Sequence, residues 1–307
     1  MQKILMILTH NRRDLLGVNL RMHERAGSYD VFDRVVFLLN GVSPQHMAYV
    51  DAYIQSHPGV AFDKIEGDGT RPRGISDMQN RCIEKYPGSY YVKTDEDVFV
   101  PNHWAKRMVE AYEANQSVNN LALITPLIPN NAYGLYVLLT EHYPDLLEDY
   151  RQRFHHDPSD EPQGPTWQRP DIGEWASRCF LDINKANQKH RDLLRDQQKP
   201  DYTQFCKYFS VGCIGYDHEH IKRMGGIPWN DEPGWCKWFE EHGHPCILDH
   251  RQIVLHYTFF VQQEWLDRST LLEDIRRVNL GERPSPMDRW SRIAQQIPSV
   301  VKRKLGR

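Results

Sequence analysis

The first hundred residues alternate short apolar runs with stretches of helical periodicity. Compact runs of aliphatic and aromatic residues are typical of strands, whereas apolar residues three or four apart are typical of helices. A helix is predicted to open at Trp104 and to run through Tyr112. The predicted strands are residues 3–9, 34–39, 60–65, 89–94 and 121–125. This order predicts an α/β fold in which helices flank a mixed, mostly parallel sheet.

Polar residues follow the predicted strands at the points where each strand ends. Ligands of such sheets bind beyond the carboxyl ends of the strands. The polar ends read THNR at residues 9–12, NG at 40–41, EGDG at 66–69 and DED at 95–97. Several carry glycine, which suits a cleft for phosphate and sugar groups. Neither G-x-G-x-x-G after the first strand nor G-x-x-x-x-G-K-[ST] occurs, so the sequence argues against a dinucleotide site and a P-loop.

The segment KTDEDVFVP, residues 93–101, carries two acidic residues two positions apart where an apolar strand ends. In an extended chain, Asp95 and Asp97 point to one side while Glu96 points to the other. Two carboxylates on one side suit a hard divalent cation, and such a cation commonly holds a diphosphate. An acidic turn without a ligand is the structural alternative for so short a motif.

Residues 126–210 have a different character, because proline, aromatic and charged residues are frequent there. We interpret this segment as a substrate-facing insertion, and a disordered surface excursion is the alternative. Residues 157–162 are predicted to form an exposed loop. Residues 209–216 are predicted to return to the sheet as a strand.

Composition limits the class of protein further. The chain has 307 residues and 36.2 kDa, 40% of its residues are hydrophobic, and its net charge of −3 argues against nucleic acid as a partner. No stretch approaches the roughly 20 apolar residues of a membrane-spanning helix.

The apolar run at residues 4–8 is too short for a signal peptide. Six scattered cysteines favour a reducing compartment, so the predicted location is the cytoplasm.

The last twenty residues are the exception to this balance. Residues 288–307 carry six basic residues and one acidic residue, interspersed with apolar ones. Such a segment can lie on an anionic membrane surface, which predicts a peripheral position at the inner face of the membrane. A solvated terminal helix is the alternative, and Pro298 interrupts either pattern. We predict that residues 263–307 form a helical, basic C-terminal tail.

Four blocks of sequence resemble the GT-A-fold glycosyltransferases. Residues 74–104, GISDMQNRCIEKYPGSYYVKTDEDVFVPNHW, resemble the central block of that superfamily, and the D-x-D segment is similar to that of β1,3-glycosyltransferases. The opening KILMILTHNRRDLL is similar to the first strand and turn of family 2-like members, with His10 at the usual aromatic position. The stretches NDEPGWCKWFEEHG, from Asn230, and IVLHYTF, around His256, resemble the catalytic-base block and the last core strand.

The resemblance implies a glycosyltransferase domain over residues 1–262. Its nucleotide-sugar-binding half is predicted at 1–100, and its acceptor-binding half, with the 126–210 insertion, at 101–262. It implies Asp97 as a direct metal ligand, Asp95 at the ribose or a metal-bound water, and His256 as a third ligand. Oxygen ligands suit Mn²⁺ or Mg²⁺, and an imidazole ligand favours Mn²⁺. A buried core histidine is the alternative for His256.

The acidic pair at the start of a predicted helix is the candidate for the catalytic base. The resemblance implies that Glu232 takes the proton of the acceptor hydroxyl, with Asp231 as the second candidate. The sequence departs from the family here, because the order of the acids is inverted and glutamate replaces aspartate. Capping of the helix that runs through His242 is the alternative role.

Candidate residues for the nucleotide lie at the first strand ends. The resemblance implies Thr9, Asn11 and Arg12, with Asn40 at the second strand end. The guanidinium groups of Arg71 and Arg73, next to glycines, suit phosphate, although arginines of a surface turn are the alternative. The indoles of Trp229, Trp235 and Trp238 are predicted to stack on an acceptor sugar, and a place in the core is the alternative for Trp235 and Trp238.

A competing constellation consists of four closely spaced ligand types near residue 240. The residues are Cys236, His242, His244 and Cys246. Their C-x5-H-x-H-x-C spacing does not match the well-separated pairs of common structural zinc sites. The sequence therefore gives zinc binding here little support.

Together these observations predict an inverting, metal-dependent glycosyltransferase. It would move a sugar from a nucleotide-diphosphate sugar to a hydroxyl of a glycan or lipid-linked saccharide, and a UDP-sugar is the favoured donor. Bacterial surface polysaccharide synthesis is the predicted setting. A retaining transferase and a nucleotidyltransferase are alternatives, although the latter needs a lysine-bearing, glycine-rich loop that residues 9–13 do not resemble. A non-catalytic glycan-binding protein with the same fold is the alternative of another class.

Overall fold

The computed structural model describes residues 1–283. The strands are β1 (Lys3–Thr9), β2 (Arg34–Asn40), β3 (Phe62–Gly67), β4 (Tyr90–Asp95), β5 (Val98–Phe99), β6 (Leu123–Leu127), β7 (Tyr202–Phe205), β8 (Cys213–Asp217), β9 (Cys246–Ile253) and β10 (Leu255–His256). The helices are α1 (Arg13–Arg25), α2 (Pro44–Ser56), α3 (Arg73–Lys85), α4 (Trp104–Asn115), α5 (Ala132–Val137), α6 (Pro144–Phe154), α7 (Pro165–Gln168), α8 (Pro170–Cys179), α9 (Ile183–Asp196), α10 (His218–Met224), α11 (Glu232–His242), α12 (Gln263–Arg268) and α13 (Leu271–Leu280). A 3₁₀ turn at Ser28–Asp30 and a π-helix at Leu138–His142 complete the regular structure of these residues.

Eight strands form one mixed sheet in the order β3-β2-β1-β4-β8-β6-β9-β7. The pairs β2–β3, β1–β2, β1–β4 and β6–β9 are parallel, whereas β8 runs antiparallel to both of its neighbours. Strands β1 and β2 are apolar nearly throughout because helices cover both faces, as is usual for parallel strands. The predicted mostly parallel α/β sheet is confirmed.

Several predicted strand boundaries are shifted. The third strand begins at Phe62 and not at residue 60, because the backbone N–H of Val60 donates to the carbonyl of His57 and places Val60 in a turn. The strand predicted at 121–125 is Leu123–Leu127. The return strand begins only at Cys213, so residues 209–212 form a loop before it. An apolar side chain in a buried turn gives the same local signal as one in a strand.

A short second sheet lies beside the large one. Strands β5 and β10 pair antiparallel, with His256 opposite Val98 and Leu255 opposite Phe99. The backbone N–H of Tyr257 also donates to the carbonyl of Asp97 at 2.8 Å. This ribbon joins the chain just after the D-x-D segment to the chain that follows the last strand of the large sheet.

Residues 126–210 are ordered structure built mainly of helices. They contain α5–α9, the π-helix and the edge strand β7, so the alternative of a disordered excursion is wrong. Part of the segment has its own core, with Leu135, Tyr150, Ile172 and Trp175 among its buried members. The predicted loop at 157–162 lies between α6 and α7.

The first part of the predicted tail packs against the body of the molecule. Leu266 in α12 and Leu271 and Ile275 in α13 are fully buried in the main core. Residues 288–307, for which a membrane contact is predicted, lie outside the described residues. Within residues 1–283, no helix combines the length and apolar character needed to cross a membrane.

Candidate active site

A cavity of about 350 Å³ lies at the carboxyl ends of β1, β2 and β4. Its walls come from segments far apart in the chain: the loop after β1, the D-x-D turn, the loop before β8, the start of α11 and the segment after β10. The residues that line it are Leu8, Thr9, His10, Asn11, Arg12, Leu15, Asn40, Arg71, Ile75, Asp95, Glu96, Asp97, Ser210, Val211, Gly212, Glu232, His256, Thr258, Phe259, Phe260 and Gln263. Most of the predicted site residues therefore meet in one cleft.

The D-x-D segment is a turn and not a continuation of the strand. Asp95 is the last residue of β4, and the chain turns at Glu96 and Asp97 before β5. The side-chain amide of Asn19, in α1, donates to the carbonyls of Asp95 (3.2 Å) and Val98 (2.7 Å) and so holds the turn. The extended geometry assumed from the sequence is wrong, but the two carboxylates still converge.

Glu96 points away from these carboxylates, as predicted. It accepts hydrogen bonds from the Thr9 hydroxyl and from the backbone N–H of His10 at 3.1 Å. Burial raises the pKa of Glu96 to about 7, with these two hydrogen bonds opposing the shift. Glu96 thus joins the D-x-D turn to the end of β1.

Asp95, Asp97 and His256 form a cluster with the composition of a metal site. Each offers one ligand atom, and these atoms all lie within 4.8 Å of one another. The Nε2 of His256 lies 3.3 Å from Oδ1 of Asp97. The β5–β10 ribbon produces this contact, because it places His256 directly opposite Val98. The structure thus brings together all three predicted ligands.

The electrostatics of the cluster suit a divalent cation. Burial by itself raises the pKa of Asp97, but the charges of His256 and Arg12 outweigh it and hold the pKa below its usual value. Burial lowers the pKa of His256, yet Asp97 raises it above the usual value overall. The Nδ1 of His256 is buried and has no hydrogen-bond partner within residues 1–283. Two carboxylates and an imidazole with unused capacity fit Mn²⁺ or Mg²⁺.

Lys93 is a residue of this site that the sequence analysis missed. Its side chain is 1% exposed, and its Nζ lies 2.6 Å from Oδ1 of Asp95 and 2.9 Å from the carbonyl oxygen of Val211. Burial lowers the pKa of Lys93, but Asp95 and Asp231 raise it overall. The signal that could have revealed it is a lysine two residues before Asp95 inside an otherwise apolar strand.

Glu232 lines the same cavity as the metal-type cluster of Asp95, Asp97 and His256. The backbone N–H of Val211 donates to its Oε2 at 3.1 Å, and the hydroxyl of Tyr208 also binds it. Burial raises the pKa of Glu232 to about 7, despite both hydrogen bonds. A carboxyl group that titrates near neutrality is suited to accept a proton.

Asp231 has a different environment, although it is adjacent in sequence. It does not belong to the lining of the cavity, and its Oδ1 accepts a hydrogen bond from the side-chain amide of Gln79 at 3.2 Å. It occupies the N-cap position of α11 at φ 50° and makes no side-chain capping hydrogen bond. The geometry thus favours Glu232 over Asp231 as the residue that meets a ligand.

The residues predicted to bind nucleotide at the end of β1 are largely engaged with the protein. The Thr9 hydroxyl binds His46 at 2.7 Å as well as Glu96. The guanidinium of Arg12 donates to Asp267 at 2.8 and 3.1 Å. This partner comes from α12, and its position explains why the sequence alone did not reveal the contact. Thr9 and Arg12 therefore shape the cavity wall.

Asn11 and Asn40 support the loops around them. The Asn11 side chain accepts from the backbone N–H of Ser43 at 2.8 Å. Asn40 accepts from the backbone N–H of Gly69 at 3.1 Å and donates to the carbonyl of Thr70 at 3.3 Å. Both asparagines still line the cavity.

The two predicted arginines after β3 are placed differently. Arg71 lines the cavity, whereas Arg73, at the start of α3, is not among its lining residues. Nearby, a Cβ on Gly41 would lie 2.4 Å from Cα of Gly69, and both glycines have positive φ. These glycines allow two loops to pack backbone against backbone, which differs from the phosphate-cleft role that the sequence suggested.

A smaller cavity of about 80 Å³ adjoins the first, and the two share Ser210, Glu232 and Phe259. Its remaining walls come mostly from the middle segment. They are Asn131, Ala132, Pro162, Gln163, Trp167 and Tyr208. An indole next to amide and hydroxyl groups is the composition of a carbohydrate subsite. None of these residues was singled out from the sequence, because the segment resembles the family least.

The competing zinc constellation does not assemble. In the described part of the chain, no group of three or more potential ligands includes Cys236, His242, His244 or Cys246. The thiol of Cys236 faces the carbonyl of Phe209, and Nδ1 of His242 binds the carbonyl of Trp238.

The predicted tryptophans divide between the core and the surface. Trp235 is fully buried in the core, Trp238 packs against it, and Trp229 is 70% exposed. Asn80 supports the local backbone, because its side chain accepts from the N–H of Ile227 and donates to the carbonyl of the same residue.

Comparison with known proteins adds evidence at the level of fold. The sequence matches no protein-family model, and no curated protein matches it. Among solved structures, the mannosyltransferase PcManGT from Pyrobaculum calidifontis, in complex with GDP-Man and Mn²⁺, superposes with a TM-score of 0.51 at 13% identity, over 95% of this chain and 67% of that one. GalNAc-T7 with UDP, GalNAc and Mn²⁺ gives 0.49 at 13% identity, over 90% of this chain and 48% of that one. TarS 1-349 of S. aureus in complex with UDP gives 0.46 at 10% identity, over 96% and 70%.

The chain thus spans about half the length of the GalNAc-T7 chain and about two thirds of the mannosyltransferase chain. At 13% identity, the likeness to the mannosyltransferase is one of fold. Its extent over nearly the whole of this chain agrees with the order of blocks in the sequence. The GT-A fold predicted from the sequence is therefore confirmed.

Proposed function

We propose that this protein is a metal-dependent glycosyltransferase that moves a sugar from a nucleotide-diphosphate sugar to a hydroxyl of a glycan acceptor. One observation carries the proposal: Asp95, Asp97 and His256 converge on one side of a cavity at the carboxyl ends of the sheet, and Glu232 faces the same cavity. The mannosyltransferase of the same fold was solved with a nucleotide sugar and Mn²⁺.

The metal-type cluster would hold Mn²⁺ or Mg²⁺ through Asp97 and His256, with Asp95 at the ribose or a metal-bound water. A divalent cation there supplies Lewis-acid stabilisation of the diphosphate leaving group. Lys93 keeps a positive charge beside Asp95 and so limits the repulsion between the acidic residues. Arg71, at the cavity wall, would approach the phosphates from the side of β3.

Glu232 would act as the base of an inverting reaction. The acceptor O–H transfers its proton to the Glu232 carboxylate, the oxygen attacks the anomeric carbon, and the anomeric C–O bond breaks with its electron pair leaving on the diphosphate. The smaller cavity supports this role, because Glu232 lines both cavities and an acceptor that stacks on Trp167 would reach it. Asp231 is the second candidate for the base.

We also propose a donor, an acceptor and a biological process for this reaction. We favour a UDP-sugar as donor and a saccharide of a bacterial surface polymer, free or lipid-linked, as acceptor. A contact of residues 288–307 with an anionic membrane surface on the cytoplasmic side would place the site near a lipid-linked acceptor. A retaining mechanism differs from the proposed one in the anomer of the product.

A thermal-shift screen against UDP, GDP, CMP and TDP, each with Mn²⁺ or with EDTA, tests the proposal first. A ligand that binds the native state raises the melting temperature, so one nucleoside diphosphate is expected to do so only with the metal. Transfer from the matching nucleotide sugar to a saccharide mixture then follows, with nuclear magnetic resonance of the product to read the anomer. Binding without transfer would support the glycan-binding alternative. No shift with any of the four nucleotides would support the nucleotidyltransferase or the glycan-binding alternative.

A further inference from the structure

Three buried histidines lie together in the acceptor half and outside both cavities. His142 ends the π-helix, His190 is in α9 and His250 is in β9. All three side chains are at most 1% exposed. The ring of His190 packs edge-on against that of His142 with centroids 5.0 Å apart. Nothing in the proposed transfer reaction uses these residues.

The rings of His142 and His250 point nitrogen to nitrogen. Nε2 of His142 lies 2.9 Å from Nδ1 of His250, and Nε2 of His250 lies 2.7 Å from the hydroxyl of Thr203. A carboxylate oxygen of Glu141 completes a group in which all ligand atoms are within 4.8 Å of one another. Within residues 1–283, two groups of three potential metal ligands have their ligand atoms this close together, namely this group and the Asp95–Asp97–His256 cluster.

The facing nitrogens of His142 and His250 share a single proton, since a hydrogen bond between two neutral rings needs one donor and one acceptor. A cation between the same two nitrogens would take the place of that proton. Glu141 supplies the third ligand atom of the group.

We propose that Glu141, His142 and His250 bind a divalent transition-metal ion of the zinc type, at a site separate from the cavity. Two imidazoles and one carboxylate are a donor set that Zn²⁺ accepts, with a fourth position left for water. Tetrahedral coordination needs the two ring nitrogens about 3.3 Å apart, so they must separate by a few tenths of an ångström from 2.9 Å.

The surroundings suit such a site. With Nδ1 of His250 on the metal, its Nε2–H donates to Thr203, which is the usual support of a metal-bound imidazole. Glu141 is exposed, and it gives the ion a path from solvent. The ion would cross-link the π-helix to β9.

Zinc binding by the full-length Asp97→Ala variant tests this proposal, because that substitution disables the cluster in the cavity. After treatment with a chelator and equilibrium dialysis against Zn²⁺, the metal content is measured by plasma mass spectrometry. One equivalent of Zn²⁺ is expected to remain bound. Adding Glu141→Gln is expected to weaken the affinity by at least about tenfold, whereas Glu113→Gln, an exposed glutamate in α4, changes nothing.

Two results would overturn the proposal. The first is a folded Asp97→Ala protein, checked by circular dichroism, that retains no Zn²⁺. The second is an unchanged affinity in the Glu141→Gln variant. His142→Leu in the same background is expected to abolish binding, and since this buried substitution can impair folding, the exposed Glu141→Gln variant decides the matter. Because the readout is zinc content and not transfer, the result is independent of the proposed function.

Discussion

Asp97 and Glu232 are two partly buried acids that line one cavity, and their pKa values are shifted in opposite directions. At Asp97, the charges of His256 and Arg12 lower the pKa below its usual value although burial opposes them. At Glu232, burial prevails over the hydrogen bonds from Tyr208 and Val211 and raises the pKa to about 7. The cationic neighbours of Asp97 account for the difference between the two pKa values. Asp97 is ionised and suited to bind a cation, whereas Glu232 exchanges a proton near neutral pH.

The surroundings of the carboxyl group also distinguish Glu232 from Asp231. Asp231 is close enough to Lys93 for the lysine to lower its pKa, although burial raises that pKa overall. Its carboxylate binds Gln79 behind the cavity wall. Residues adjacent in sequence thus lie in different environments, since Glu232 lines the cavity and Asp231 does not.

The largest expected effect is that of Asp97→Ala. Loss of a carboxylate ligand should abolish the metal-dependent thermal shift by nucleoside diphosphate and lower transfer by about 10⁴-fold, the equivalent of several kcal/mol of electrostatic stabilisation. Calorimetric titration of Mn²⁺ and an assay of transfer check this. Asp196→Ala, at a 70% exposed carboxylate, serves as the control. Metal-dependent binding of nucleoside diphosphate at wild-type affinity in Asp97→Ala would remove the basis of the metal assignment.

Glu232→Gln should separate chemistry from binding. The amide keeps the shape of the side chain but cannot accept the proton, so transfer should fall about 10²- to 10⁴-fold while metal-dependent nucleotide binding persists. Glu240→Gln, at an exposed glutamate of the same helix, is the matched control. Near-normal transfer by Glu232→Gln would move the base to Asp231 or elsewhere.

Lys93→Met tests whether the buried lysine offsets the acidic residues. Removal of one partner of a buried ion pair typically costs about 3–5 kcal/mol, so the free energy of unfolding in urea should fall by an amount of that order. Lys93→Met combined with Asp95→Asn should recover part of the loss, because no unpaired charge is left. If the double variant is as unstable as the sum of the two single ones, the pair is not coupled.

The smallest expected effect concerns the pH profile. Since the base form of Glu232 is populated only above a pKa of about 7, transfer should decline about tenfold per pH unit below that value. The hydroxyl of Tyr208 lowers this pKa, so Tyr208→Phe should move the midpoint upward by a fraction of a unit. Measurement of kcat/KM between pH 5 and 9 checks both expectations. A downward shift in Tyr208→Phe would contradict the assigned hydrogen bond.

The sequence predicted the sheet and the metal-type cluster because their signals are local. Apolar runs marked the strands, and the spacing of Asp95 and Asp97 at a strand end marked the cluster. His256 was predicted as a ligand only from the family resemblance, because no local sequence pattern distinguishes a metal-binding histidine from a core histidine. Its partner across the ribbon, Val98, lies far away in the chain.

The contacts that escaped prediction are those between distant segments. Asn19 holds the D-x-D turn, Asp267 holds Arg12, and Lys93 meets the loop before β8. No pattern of spacing reports such pairs, because each depends on the completed fold. The middle segment was harder still, since its helices bury a core of their own and its amphipathic pattern is interrupted by prolines.

The β5–β10 ribbon has a consequence for when the proposed metal site can form during synthesis of the chain. Two of the three ligands are synthesised early, with Asp95 and Asp97, and the third only with His256. A nascent chain that has not yet released residue 256 from the ribosome lacks the strand that pairs with β5 and cannot assemble the three-ligand cluster. The proposed cation site is therefore complete only late in translation, after the middle segment has emerged.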